Sequence, residues 1–260
     1  MLKGRSALIT GSTQGLGYAL AERLAAEGCN IVLNGFGEAA EIEASRRKLE
    51  AAHGVRVIHH GADVAEPAEI ADLVATAHKT FGGIDVLINN AVVRHFSPIE
   101  QFKPEDWNRA LAVNLSAAFH TVRLAMPGMR ERDFGRIVNV GSIYSLIGAV
   151  NRIDYVTTKT ALIGFTRAVA LETARTNITC NAICPGTIPT PNIEGRLEAE
   201  RTKTGQSRAE AERAFLASRQ PSGKFVASER VAALVALLCG PAGADITGSA
   251  IPIDGGWSAA

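Results

Sequence analysis

The chain has 260 residues, with 27 Lys and Arg against 26 Asp and Glu, for a formal net charge of +1. That balance excludes a general nucleic-acid or acidic-membrane partner, and no apolar run reaches the roughly 18 residues that a membrane span needs. With 47% hydrophobic and 20% charged residues, the chain can fill one large buried core.

Short apolar runs alternate with longer stretches of helical period. SALIT (6–10) reads as a strand and 15–27 as a helix. NIVLN (30–34) is a strand, followed by a helix near 38–52. VRVIHHGAD (55–63) is a strand, and 66–82 is an amphipathic helix opened by Glu and Pro. IDVLINNA (84–91) is a strand, with a helix from about 104. GRIVNVGS (135–142) is a strand, with a helix from about 153. NITCNAICPG (177–186) is a strand, 229–239 a helix, and SAIPIDGG (249–256) holds a last strand. Continuous Val and Ile runs mark strands buried on both faces. The repeated βα order predicts an α/β fold, a single domain over 1–260 built on a doubly wound parallel sheet. The charged stretch 192–224 interrupts this rhythm. It reads either as a solvated surface excursion or as a helical lid over the strand ends.

Cys29, Cys180, Cys184 and Cys239 lie in or beside apolar runs, with no metal-ligand partners at useful spacing. They read as small buried hydrophobes in a reducing compartment, and no metal site is expected. The N-terminal stretch MLKGRSALIT has no long apolar segment and no small-residue cleavage site. A cytoplasmic location is the expectation.

TGSTQGLG (10–17) follows the first strand and opens the first helix. Gly11 suits a tight turn, and Gly15 and Gly17 let backbone approach a pyrophosphate and pack helix on strand. The helix N-terminus adds free N–H donors and a positive dipole end. Tyr155 and Lys159 stand four apart and share one helix face. A free phenol has a pKa of about 10. A nearby ammonium favours the phenolate, so the tyrosine can exchange a proton with an alcohol or carbonyl near neutral pH. Ser142, just past the strand RIVNVG, can hydrogen-bond the reacting oxygen.

The glycine spacing G-x-x-x-G-x-G, together with NNA (89–91), YVTTK (155–159), PG (185–186) and DGG (254–256), resembles the short-chain dehydrogenase/reductase family along nearly the whole chain. The resemblance implies a Rossmann-type fold, a nicotinamide cofactor, homotetrameric assembly and a catalytic tetrad of Asn114, Ser142, Tyr155 and Lys159. Asn114 would anchor a proton-relay water, and Lys159 would also bind ribose. The cofactor residues carried over are Gly11, Thr13, Gln14, Gly15, Leu16, Gly17, Asn34, Gly35, Phe36, Asp63, Val64, Asn90, Ala91, Tyr155, Lys159, Pro185, Gly186 and Ile188. The turn after the second strand, NGFG (34–37), has neither acid nor base. This points to NAD rather than NADP, although Arg46 and Arg47 on the next helix are cations that a 2′-phosphate could use. An acid at position 34 is expected to sharpen the preference for NAD. The family's usual NNAG is NNAV here, so Val92 adds bulk and restricts φ near the nicotinamide end.

Within the family the chain is most similar to bacterial 3-hydroxybutyrate dehydrogenases, through NIVLNGFG, NLSAAFHTVRLAMPGM, NITCNAICPG, RQPSGKFV and the final DGGW. The polar residues that hold the substrate there are changed here. Arg94 stands for glutamine, Tyr144 for histidine, Arg152 for lysine, Arg196 for glutamine and Thr187 for tryptophan. Each arginine reads either as a solvated charge or as part of an anion clamp with Ser142, Tyr144 and Tyr155. His95 reads equally as a pocket wall or a packed side chain, and His59 and His60 as structural or exposed. The leading expectation is an NAD-dependent dehydrogenase oxidising a hydroxyl of an anionic substrate: a sugar acid, a sulfonated sugar or polyol, or a larger hydroxy acid. The alternatives are 3-hydroxybutyrate dehydrogenase itself, a 3-oxoacyl reductase, and an NAD-binding regulator without turnover.

Overall fold

The computed structural model describes residues 2–260 and, of Asn192, the backbone alone. Met1, the first residue of the expected domain, lies outside the described residues.

Seven strands form one parallel sheet. They are β1 (Ser6–Ile9), β2 (Asn30–Asn34), β3 (Val57–His60), β4 (Val86–Asn89), β5 (Gly135–Val140), β6 (Ile178–Pro185) and β7 (Ala250–Ile253). Their order across the sheet is β3-β2-β1-β4-β5-β6-β7, every pair parallel. The direction of winding reverses between β1 and β4, and the crevice outside the strand ends at that point is where such sheets bind ligands.

Side-chain alternation divides the core. On one face Ala7, Ile9, Ile31, Leu33 and Val86 pack against α1 (Gly15–Ala26), α2 (Ala39–His53) and α9 (Ser228–Cys239). On the other, Leu8, Val32, Leu87 and Ile137 pack against α3 (Pro67–Phe81), α5 (Ala117–Glu131) and α6 (Ile153–Thr173). Leu8 faces one layer and its neighbours the other because strand side chains alternate. All four cysteines are buried and unbridged, and burial pushes the thiols of Cys29, Cys180 and Cys239 up to about 12.

Observed strands are shorter than the apolar runs that mark them: β3 covers Val57–His60 of the expected 55–63, and β4 covers Val86–Asn89 of 84–91. The helix expected from about 104 is α4 (Pro104–Leu111), joined to α5 by a π-helical turn, Ala112–Ser116. The widened turn carries Asn114, and such turns recur at functional sites. The charged excursion folds as two helices, α7 (Pro191–Thr204) and α8 (Arg208–Leu216). They are joined by ion pairing of Arg208 with Glu194, and Leu197, Ala211 and Leu216 are buried. Its start signals are local. Thr190 caps α7 ahead of Pro191, and Ser207 with Glu210 forms a capping box.

Candidate active site

The glycine loop is locked from three sides. Asn90 Nδ2 donates to the carbonyls of Thr10 and Gly11, the Ala91 N–H donates to Thr10 Oγ1, and Thr13 Oγ1 donates to the Phe36 carbonyl. A Cβ on Gly17 would lie 2.1 Å from the Gly11 carbonyl oxygen, so α1 can approach β1 only with glycine there. Gly15 has φ +58 and open space where a Cβ would stand. Gln14 gives α1 no side-chain cap, and the first turn holds no acid. Free N–H donors facing open space suit a pyrophosphate, and Leu16 packs behind them on the core.

Around the adenosine end the structure shows what already holds the expected residues. Asn34 is buried, with Oδ1 accepting from the Gly11 N–H and Nδ2 donating to the carbonyls of His60 and Ala62. Its side chain therefore ties the glycine loop to β3 and has no donor left for a ribose hydroxyl. Val64 is buried in the core and offers adenine no exposed side chain. Arg46 is ion-paired with Glu43 and Glu50, and Arg47 with Glu43, so neither is a free cation. Gly35 and the exposed Phe36 stay at the surface of the turn. Asp63 is bridged by Arg109. Burial opposes the charge of Asp63, but the Ala65 N–H and Arg109 hold its carboxyl below the usual range. His59 accompanies the Gly35 carbonyl and His60 pairs with Asp72, both structural roles.

At the other end β6 delivers Pro185 and Gly186. The Gly186 N–H donates to the Ile253 carbonyl, and the Thr187 N–H to Gln220 Oε1. Ile188 packs against the core.

The tetrad residues meet around the start of α6. Ser142 caps a 3-10 turn, Ile143–Ser145, and accepts the Tyr144 N–H at 3.2 Å, which leaves its proton for a reacting oxygen. Lys159 is buried, donates to the Val140 carbonyl at 2.6 Å, and lies 5.8 Å from the Tyr155 ring centroid. Burial first, and then the nearby Arg94 guanidinium, bring its pKa down to about 8. Asn114 Nδ2 donates to the Val93 carbonyl and to Thr158 Oγ1, and its Oδ1 accepts the Val93 N–H. Tyr144 stacks edge-on to Tyr155 at 6.2 Å and to Trp257 at 5.5 Å, forming an aromatic wall. Trp257 is a wall residue that sequence reasoning passed over, although the terminal DGGW displays it.

The substrate candidates part company. Arg94 is exposed, with no carboxylate partner among the described residues, and its charge acts on Lys159. Arg152 donates to the His95 carbonyl and stacks over Phe96 at 5.0 Å. Arg196 stacks over Phe215 of α8 at 5.4 Å, inside the excursion. Two of the three arginines thus belong to or bond the loop after β4, and the third rests on α8. His95 is a packed residue paired with Asp154. Val92 is 40% exposed and does not have positive φ, so it adds bulk without backbone strain.

Residues 5–201 match the family model described as short chain dehydrogenase. The chain belongs to the short-chain dehydrogenase family. This dehydrogenase is 45% identical over 260 residues, covering 100% of both chains, to D-beta-hydroxybutyrate dehydrogenase of Cupriavidus necator. It is 42% identical to the protein of the same name from Rhizobium meliloti, over 98% of this chain and 99% of that one. The structure of L-sorbose reductase from Gluconobacter frateurii, complexed with NADPH and L-sorbose, superposes with a TM-score of 0.92 at 31% identity, covering 100% and 98%. The dehydrogenase is therefore an oxidoreductase that acts on a hydroxyl or keto group, and its fold binds a nicotinamide cofactor. Among the described residues no helix is long and apolar enough to cross a membrane, and no cluster of His, Cys, Asp and Glu could hold a metal ion.

Proposed function

We propose that this chain is an NAD-dependent dehydrogenase of a short 3-hydroxy carboxylate, with 3-hydroxybutyrate the first substrate to test. The observation that carries the reading is Arg94. It is an exposed guanidinium on the loop after β4, its charge acts on the buried Lys159 ammonium, and no carboxylate among the described residues pairs with it. Like charges so placed repel unless an anion enters between or beside them. A substrate carboxylate supplies that anion, and Arg152 stands by the same loop. Full-length similarity to two D-beta-hydroxybutyrate dehydrogenases supports the small acid over the sugar acids and sulfonates that the altered pocket residues suggest.

When bound, the nicotinamide supplies hydride acceptance and donation. Tyr155 takes the hydroxyl proton, Ser142 donates a hydrogen bond to the substrate oxygen, and Lys159 keeps positive charge beside the phenol. NAD is supported by the neutral NGFG turn and by the pairing of Arg46 and Arg47 within α2. The exposed Phe119 and Leu171 support homotetrameric assembly through α5 and α6, which light scattering tests. We read α7 and α8 as a cover over the crevice. A second reading, a larger anionic hydroxy compound, is favoured by Thr187 and Arg94 at positions where the resemblance has tryptophan and glutamine.

Steady-state kinetics decide. 3-Hydroxybutyrate is compared with sulfonated and carboxylated sugars, each with NAD and NADP. The proposal requires the highest kcat/KM for the pair 3-hydroxybutyrate and NAD, and a better larger anion replaces it with the second reading.

A further inference from the structure

The loop after β4 alternates in exposure. Val92, Arg94 and Phe96 face outward, while Val93 and His95 are half-buried. The two inward residues are each held by a pair of hydrogen bonds. Asn114 takes the Val93 N–H at 2.8 Å and donates to its carbonyl at 2.9 Å. Asp154 Oδ2 accepts the His95 N–H at 3.2 Å and pairs with its Nδ1 at 2.8 Å. Arg94 stands between these two clamps. The His95 carbonyl in turn accepts from Arg152, whose guanidinium also rests on Phe96.

Asp154 is unusual in its setting. Its side chain is 0% exposed, and Oδ1 has no hydrogen-bond partner. A buried carboxylate half-satisfied in this way is costly. It sits one residue before Tyr155, in the first turn of α6. Its carbonyl accepts from Thr158 Oγ1, which accepts from Asn114, so both clamps belong to one network. Three further groups bear on it. Asp106 lies 3.5 Å from His95 Nε2, and Arg94 and Arg152 supply cations along the loop that the clamps hold.

We infer that Asp154 and His95 are positioning residues for substrate specificity, fixing the loop so that Arg94 and Arg152 meet the substrate anion. The buried negative charge serves the loop rather than the proton transfer. The inference rests on the reading of Arg94 and Arg152 as the anion clamp.

The test compares 3-hydroxybutyrate with its methyl ester, an uncharged substrate with the same hydroxyl, in Asp154→Asn, His95→Gln, Arg94→Ala and Arg152→Ala. Asp154→Asn and His95→Gln should raise KM for the acid roughly tenfold, the scale of a coupled hydrogen-bonded pair. Turnover of the ester and KM for the dinucleotide should stay near wild type. Equal losses for acid and ester, or a fall in kcat alone, overturn the inference and assign Asp154 to the support of Tyr155. So does an unchanged KM for the acid in both variants. If Asp154→Asn melts below the assay temperature, His95→Gln decides, because that side chain is 28% exposed and its loss leaves the backbone bond. Should Arg94→Ala and Arg152→Ala leave KM for the acid unchanged, the clamp reading itself fails. Raised KM in the arginine variants alone removes only the positioning role.

Discussion

Lys159 lies 5.8 Å from the ring centroid of Tyr155 and is itself sealed from solvent by burial. The charge proposed to assist the phenol is therefore held in a dry site, where its field is least screened. Tyr155→Phe removes the transferable proton while keeping the ring that Tyr144 packs against. Turnover should fall about a thousandfold, within the usual range for general acid–base groups, while dinucleotide binding by fluorescence titration stays close to wild type. Full turnover would remove Tyr155 from the proton transfer.

Burial depresses Lys159 to about 8, from an unfolded value of about 10.4. Between these values the unfolded chain binds the extra proton, so this group adds stability as pH rises from about 8 to 10 and costs it below. Lys159→Met should therefore be more stable than wild type near pH 7, by about 3 kcal/mol at most, with the gap closing toward pH 10. The difference between the two proteins isolates Lys159 from the buried thiols, whose raised pKa values act in the opposite direction. Urea denaturation at several pH values measures it, and a constant gap would refute the desolvation.

Arg94→Ala and Arg152→Ala should each raise KM for the carboxylate substrate by about 2 kcal/mol, or roughly 30-fold, the scale of one charge-assisted hydrogen bond. Arg196→Ala should change KM little, because its guanidinium rests on Phe215. A large effect at Arg196 and none at Arg94 would reverse the assignment.

Gly15 and Gly17 should separate binding from folding. Gly15→Ala meets no atom within 4 Å and costs about 1 kcal/mol of backbone strain, but its methyl fills the space before the α1 N-terminus. Dinucleotide affinity should drop with little loss of melting temperature. Gly17→Ala drives Cβ to 2.1 Å from the Gly11 carbonyl oxygen and should destabilise the fold by about 3 kcal/mol. Calorimetry reads both, and equal stability of the two variants would contradict the packing.

Asn34→Asp is expected from sequence to favour NAD, yet in the fold it sets carboxylate oxygens against the carbonyls of His60 and Ala62. A stability loss of about 3 kcal/mol, the order for an uncompensated buried charge, should dominate any change in cofactor preference. Chemical denaturation beside NAD and NADP kinetics checks this.

The sequence by itself determined the alternating βα order, the glycine loop, and the placing of Tyr155 and Lys159 on one helix face with Ser142 at a strand end. These features depend on residues a few positions apart, where periodicity and backbone geometry act locally. Only the tertiary structure decided which partner each polar side chain finds. It turned Asn34 inward and set Arg196 over Phe215. It also joined His95 to Asp154 across 59 positions of chain. Such pairings follow from how distant segments pack, and a buried polar group takes whichever partner that packing brings within reach.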